Sequence, residues 1–285
     1  AEEVVCKARW EGDDTLTVFG PKPGSVTYGD HEITFTAMAS GNRPHFTLTD
    51  VNALNKFRNF DVRDASYATD KLIEDSWLAD MAGFTCIRFM KWMKQAEGNK
   101  PLTWATRSKI GDGAEKGSDG LPIEYMVAAA NAANADMWVT IGWNADEDYI
   151  RRFARYVRDN LNPGLVCYVE LSNEIWNYQY AVAQQCLQEA LVAFPGEDAN
   201  VARAWRQGIK SSWMMDLWAE EYGPENMHRL VRVLAGQNGN PGMAPHLCDA
   251  DILGDNSDYA WKHHDALSPP PYFHGYVGPE MFAGQ

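Results

Sequence analysis

Residues 168–177 read YVELSNEIWN, an apolar run that stops at Asn173 and Glu174, with Trp176 two places further on. A carboxylate at the end of an apolar run is costly unless it is paired or put to use, which makes Glu174 the first candidate for chemistry. Other candidates stand at or just past the ends of other apolar runs. They are Arg88, Lys91 and Trp92 around FTCIRFM (84–90), Trp143 and Asn144 around MWVTIGW (137–143), and His274 and Tyr276 after ALSPPPYF (266–273). A carboxylic acid, an amide, a cation, an imidazole, a phenol and several indoles suit a polyhydroxylated molecule. Rings stack on its apolar CH faces, while amide and imidazole groups fix its hydroxyls.

The elements that must gather these residues alternate along the chain. Strands are expected at 59–64, 84–90, 137–143, 165–172 and 229–235, with a sixth at 266–273 weakened by its prolines. Between them lie helical patterns at 124–135, 147–161 and 200–222. The second places Ile150, Phe153, Ala154, Val157 and Leu161 on one face, with Asn144 and Asp146 as candidate caps. The third repeats Val201, Trp205, Ile209, Leu217 and Trp218 at helical spacing, so its tryptophans read as core. Strand–helix alternation implies a parallel sheet. The expectation is an α/β fold, a (β/α)8 TIM-type barrel over 49–285, of which six strands are countable before Gln285. Residues 1–48, punctuated by GDD, FGPKPG, YGD and SGNRP, read as an N-terminal β-segment. In such a barrel the reactive face lies just past the C-terminal ends of the strands. The long polar, Gly-rich stretch 98–122 is of the kind usually tied to function.

VELSNEIW resembles the fourth-strand motif of clan A glycoside hydrolases, in particular the cellulase-like family 5, where E-x-x-N-E ends in the acid/base glutamate. GFTCIRFMKW (83–92) is similar to that group's second strand, whose Arg supports the nucleophile, and FHGY (273–276) to its His-x-Tyr element. The chain also resembles a group of bacterial secreted barrel proteins labelled carbohydrate-active or cellulose-binding. The resemblance covers roughly 80–180 well and 229–276 loosely, and departs from family 5 in reading Asn-Glu-Ile instead of Asn-Glu-Pro.

The resemblance implies a retaining glycoside hydrolase acting on a β-linked polysaccharide or oligosaccharide. Glu174 would be general acid and then base, in a cleft that raises its pKa. Asn173 would bind the hydroxyl next to the reacting carbon, Arg88 would hold a second carboxylate, and Trp143 and Trp176 would line subsites. Trp92, Asn144, His274 and Tyr276 complete the expected substrate-binding set. The family's nucleophile, a Glu at the end of the seventh strand, would fall beyond Gln285, in a further segment or chain, or on Glu280 within these residues. The rival readings are a non-catalytic carbohydrate-binding barrel and a polysaccharide lyase with a Tyr or His base.

Composition narrows the partners. A net charge of −14 without a basic stripe speaks against nucleic acid. No apolar run approaches the roughly 18 residues of a membrane span. The five cysteines show no CxxC spacing, so no structural zinc is expected; Cys186 and Cys248 are the pair considered for a disulfide. No cofactor or metal is expected, and the start AEEVV fits a secreted or periplasmic chain after signal cleavage. Glu170 reads as an inward structural carboxylate with Arg88 as its partner, Lys91 and Lys94 as a solvated face, and His263 and His264 as surface residues. The acids of ADEDY (145–149) are better explained by a helix N-terminus than by calcium.

Overall fold

The computed structural model describes residues 3–38, 43–68, 70–94, 97–111 and 120–269, so His274, Tyr276 and Glu280 lie outside the described residues. The chain divides into two compact units, Ala1–Leu72 and Ile73–Gln285.

The first unit is built from period-2 alternation. Its strands are β1 (Glu3–Glu11), β2 (Thr15–Phe19), β3 (Thr27–Gly29), β4 (Glu32–Met38), β5 (His45–Thr49) and β6 (Arg58–Asp64). They form a four-stranded antiparallel sheet, β3-β4-β1-β6, and a separate β2-β5 pair. Ala8 and Trp10 of β1, Leu16 and Val18 of β2, and Ile33 and Phe35 of β4 make its core. On the other face of β1, Lys7 and Arg9 reach Glu32 at 2.8 and 2.9 Å.

The second unit carries α1 (Asp75–Met81), β7 (Cys86–Arg88), α2 (Ile123–Ala133), β8 (Asp136–Ile141) and α3 (Glu147–Asn160). It continues with β9 (Cys167–Leu171), α4 (Ala181–Ala193), α5 (Ala199–Asn226), β10 (Leu230–Ala235), α6 (Met243–Cys248) and β11 (Ala266–Ser268). Its five strands pair in parallel in the order β11-β10-β9-β8-β7.

The expected eight-stranded barrel is therefore corrected to an open five-stranded parallel sheet. One of the six expected strands belongs elsewhere, and another is shorter than expected. Residues 59–64 do form a strand, but it pairs antiparallel with β1 in the first unit. The sixth strand stops at Ser268, ahead of the prolines that cannot donate to a ladder.

Met137, Val139 and Ile141 of β8 and Cys167, Val169 and Leu171 of β9 pack in one cluster with residues of α2, α3 and α5. Alternate positions point to the opposite face, where Trp138 stacks on Tyr168 with centroids 5.6 Å apart. Helix α3 follows its sequence pattern: Ile150, Phe153, Ala154 and Val157 are buried, and Asp146 caps it by accepting from the Tyr149 N–H at 2.7 Å. Glu147 and Asp148 sit in its first turn and pair with Arg151 and Arg152 one turn on, the helix-terminus arrangement expected for ADEDY. Among the described residues no group of ligands for a metal ion occurs, and no helix is long and apolar enough to cross a membrane.

Helix α5 differs from its expected face. Trp218 and Leu217 are buried, but Val201, Trp205 and Ile209 are only half-buried, and Ala204, Gly208, Ser211 and Ser212 turn inward. A Cβ at Gly208 would come within 2.6 Å of the Leu247 carbonyl oxygen, so close helix approach selects small residues there. The two histidines assigned to the surface are also tied down. His263 is held between Asp216 (2.6 Å) and Asp258 (3.0 Å). His264 Nδ1 donates to the Ala260 carbonyl and its Nε2 accepts from Ser211 Oγ at 2.7 Å. Burial lowers the His264 pKa to about 4. All five thiols are free, including Cys186 and Cys248.

The segment 98–122 is fastened at both ends. Leu102 bridges to Ala145, Arg107 pairs with Glu124 at 2.6 Å, and the Leu121 N–H donates to the Trp92 carbonyl at 2.8 Å.

Candidate functional site at the C-terminal rim of the parallel sheet

Because all five strands run the same way, their C-terminal ends share one rim. There β7 delivers Arg88, β8 is followed by Trp143 and Asn144, β9 by Asn173, Glu174 and Trp176, and β10 by Gln237. Between β7 and β9 a chain of polar contacts crosses the sheet. Arg88 Nη2 donates to both carboxylate oxygens of Glu170 at 2.9 Å and to Asn173 Oδ1 at 3.1 Å. Trp138 Nε1 donates to Glu170 Oε2 at 2.7 Å. Glu170 is 3% exposed. Burial pushes its carboxyl pKa up, and the Arg88 guanidinium and the Trp138 N–H pull it back. The expected pairing of Arg88 with Glu170 is thus present, and Glu170 is the carboxylate that Arg88 holds.

Asn173 is spanned between opposite charges: its Oδ1 accepts from Arg88 and its Nδ2 donates to Glu97 Oε1 at 3.1 Å. A cation on one side and a carboxylate on the other fix the amide in a single orientation. With 4% of its surface exposed, it is a tie across the site, not the open sugar-binding arm that the resemblance implied. Lys91 Nζ lies 3.1 Å from the same Glu97 oxygen, so Lys91 is paired and not merely solvated. The Glu97 carboxylate holds the Lys91 ammonium above its ordinary pKa. Burial raises the pKa of Tyr180, and the charges of Glu97 and Glu174 add to the rise.

Glu174 sits where the strand breaks into a turn. Ser172 and Glu174 adopt φ values of +51° and +48°, a left-handed conformation that side chains with a Cβ seldom occupy. Such strain concentrates at functional sites. Three contacts hold the turn: the Ser172 N–H donates to the Ile141 carbonyl at 2.7 Å, the Asn177 N–H to the Glu174 carbonyl at 2.8 Å, and Asn177 Nδ2 to Glu174 Oε2 at 2.9 Å. Ile175, which stands where family 5 has Pro, is 1% exposed and anchors the turn in the core. Glu174 faces an open hollow of about 530 Å³ walled by Trp176, Asn177, Tyr178, Gln179 and Gln237. Trp176 and Gln237 also line a smaller slot of about 30 Å³ beside it.

Two expected site residues move elsewhere. Trp143 is 1% exposed, with Nε1 donating to Glu189 at 3.0 Å and Lys210 Nζ 4.7 Å from its ring centroid, so it presents no face to a ligand. Asn144 exchanges amide bonds with Gln185 at 2.8 Å and donates to the Asn99 carbonyl, which makes it a structural clasp. Trp92 packs edge-on against Phe89 (5.1 Å) and tilted against Trp77 (5.8 Å), partly buried beside Arg88 and Lys91 in the chain.

Several residues here escaped the sequence reading. Trp138 shares the strand parity of Glu170 across the β8–β9 ladder and was findable from register. Asn177 completes the quoted NEIWN. Glu97 and Gln237 lie in loops, where no period announces them. Compared with known proteins, the chain matches no family model, no curated protein and no solved structure.

Proposed function

We propose that the protein is a glycoside hydrolase that cleaves a β-linked polysaccharide or oligosaccharide with retention, using Glu174 as general acid and then as base. One observation carries the reading. A strand-end carboxylate in a strained turn opens on a hollow of about 530 Å³ with an indole, a phenol and three side-chain amides in its walls. Trp176 and Tyr178 offer faces for the CH surface of a pyranose, and Asn177, Gln179 and Gln237 offer donors and acceptors for its hydroxyls. The Asn177 side-chain amide, donating from Nδ2, orients the Glu174 carboxyl group. In the first half-reaction Glu174 gives its proton to the glycosidic oxygen; in the second it takes one from the attacking water. A polymeric substrate lies outside the cell, so a secreted or periplasmic location belongs to the same proposal.

The test is a panel of β-linked glucans, mannans and xylans read by reducing-end release, with wild type and Glu174→Gln side by side. Loss of a general acid typically removes about 10²- to 10⁴-fold in rate. The variant is expected to lose about a thousandfold in kcat while retaining affinity for the polymer. Equal turnover by both proteins sinks the assignment. Binding by wild type without release of reducing ends replaces it with the carbohydrate-binding reading.

A further inference from the structure

Two buried arginines of the second unit differ in how their charge is met. Arg229 is 8% exposed, and its guanidinium donates to the carbonyl oxygens of Leu165, Arg158, Leu161 and Asn162. Its donor fork is filled. Arg203 of α5 is 6% exposed and donates only to the Trp176 carbonyl at 3.1 Å and to Asn200 Oδ1 at 3.2 Å. Its guanidinium carbon lies 4.6 Å from the centroid of the Tyr178 ring. No carboxylate among the described residues pairs with it, and most of its fork is unused. A buried cation left in that state is costly, and its planar fork matches a carboxylate. Arg203 also lines the slot of about 30 Å³ that shares Trp176 and Gln237 with the hollow before Glu174. Ala204, Ala235 and Leu247 make the slot largely apolar, so a charge-assisted hydrogen bond is strong there. A space of that size admits one small substituent of a sugar and excludes a second ring.

From this juxtaposition we infer that the glycan proposed above carries uronate residues, and that Arg203 binds the carboxylate of one of them in the slot while its ring occupies the hollow; the inference rests on that reading. Arg203 is then the specificity-determining residue, and through the Trp176 carbonyl it also positions that wall. The net charge of −14 disfavours a continuous polyanion. The substrate class is therefore a mainly neutral β-linked backbone with scattered uronate units.

The experiment uses the full chain and matched pairs of polymers. β-Glucan and β-mannan with a minority of C6 positions oxidised to carboxylate, and a glucuronoxylan, are each compared with the same polymer in neutral form, unoxidised or carboxyl-reduced. Cleavage is read as reducing ends and as absorbance of an unsaturated uronate, and affinity as retardation in gels that contain each polymer. Wild type is expected to favour the acidic member of at least one pair in kcat/KM by about ten- to a hundredfold, the worth of a hydrogen bond to a charged group. Arg203→Met should bring that ratio close to one, while Arg203→Lys keeps part of it. Ala244→Leu, which fills the slot and leaves the arginine in place, should also abolish the preference. Each variant is checked for an unchanged thermal midpoint. Equal cleavage of neutral and acidic members, or a preference that survives in both Arg203→Met and Ala244→Leu, overturns the inference and leaves the hydrolase standing. An unsaturated product from the acidic members alone, or their preferential retardation without cleavage, keeps the slot and sinks the hydrolase. Wild type that shows neither cleavage nor a preference in retardation removes both.

Discussion

The interior of the parallel sheet and its C-terminal rim carry the same kinds of side chain and treat them in opposite ways. Inside, Glu170 is sealed: a guanidinium and an indole N–H take its oxygens, and 3% of it meets solvent. Four residues on, Glu174 stands in a left-handed turn at the edge of an open hollow, where Asn177 Nδ2 donates to its carboxylate. The same contrast separates Trp143, buried under Lys210, from Trp176, which walls the hollow. Residue type alone does not distinguish a carboxylate sealed in the sheet from one at its rim. The difference lies in whether the strand still supplies neighbours on both sides.

Substitutions can break or sharpen that contrast. Glu170→Ala strands the Arg88 guanidinium and removes the acceptor of Trp138. Removing one partner of a buried ion pair costs about 3 to 5 kcal/mol; with Arg88 35% exposed, the expected loss is near the lower end, about 3 kcal/mol, read from urea unfolding. An unchanged midpoint would dissolve the distinction between interior and rim.

A buried group beside the outermost strand gives the next largest effect. His264 titrates near 4 when folded and near about 6.5 when unfolded. Between those values the unfolded chain binds a proton that the folded one refuses, so stability falls as pH drops from about 6.5 towards 4. The expected loss over that window is roughly 2 to 3 kcal/mol. It should vanish in His264→Gln, measured by unfolding at successive pH values.

Smallest is the effect of relieving the rim. Glu174→Gly removes a Cβ from a left-handed position and should raise stability by about 1 kcal/mol while abolishing hydrolysis. A fall in stability would mean that the Asn177 contact outweighs the strain.

Local periodicity made much of this readable in the sequence. Helix α3 and strands β8 and β9 follow their apolar patterns, and the break at Asn173–Glu174 is a sharp change from apolar to polar. What periodicity does not contain is long-range pairing. Whether residues 59–64 join a parallel sheet or fold back on β1 depends on a partner some fifty residues away, so the barrel count failed there. Trp143 was placed on the rim by counting to the strand end, but the chain turns at once and carries it under α4 and α5, against Glu189 and Lys210. The inward face of α5 was misjudged because close helix contact favours Gly208, Ser211 and Ser212 over larger apolar residues. Glu97 was invisible because it lies in a loop, where chemistry is set by what the loop is fastened to.

The fastening of segment 98–122 has an evolutionary consequence. Trp92 and Leu121 close one clasp, Leu102 with Ala145 another, and Arg107 with Glu124 a third. Lengthening a loop whose ends are already fixed adds only about 0.6 kcal/mol per doubling. Descendants of this chain are therefore expected to carry insertions between Arg107 and Leu121 at little cost to the frame, because the clasps at Leu102, Arg107 and Leu121 stay in place on either side.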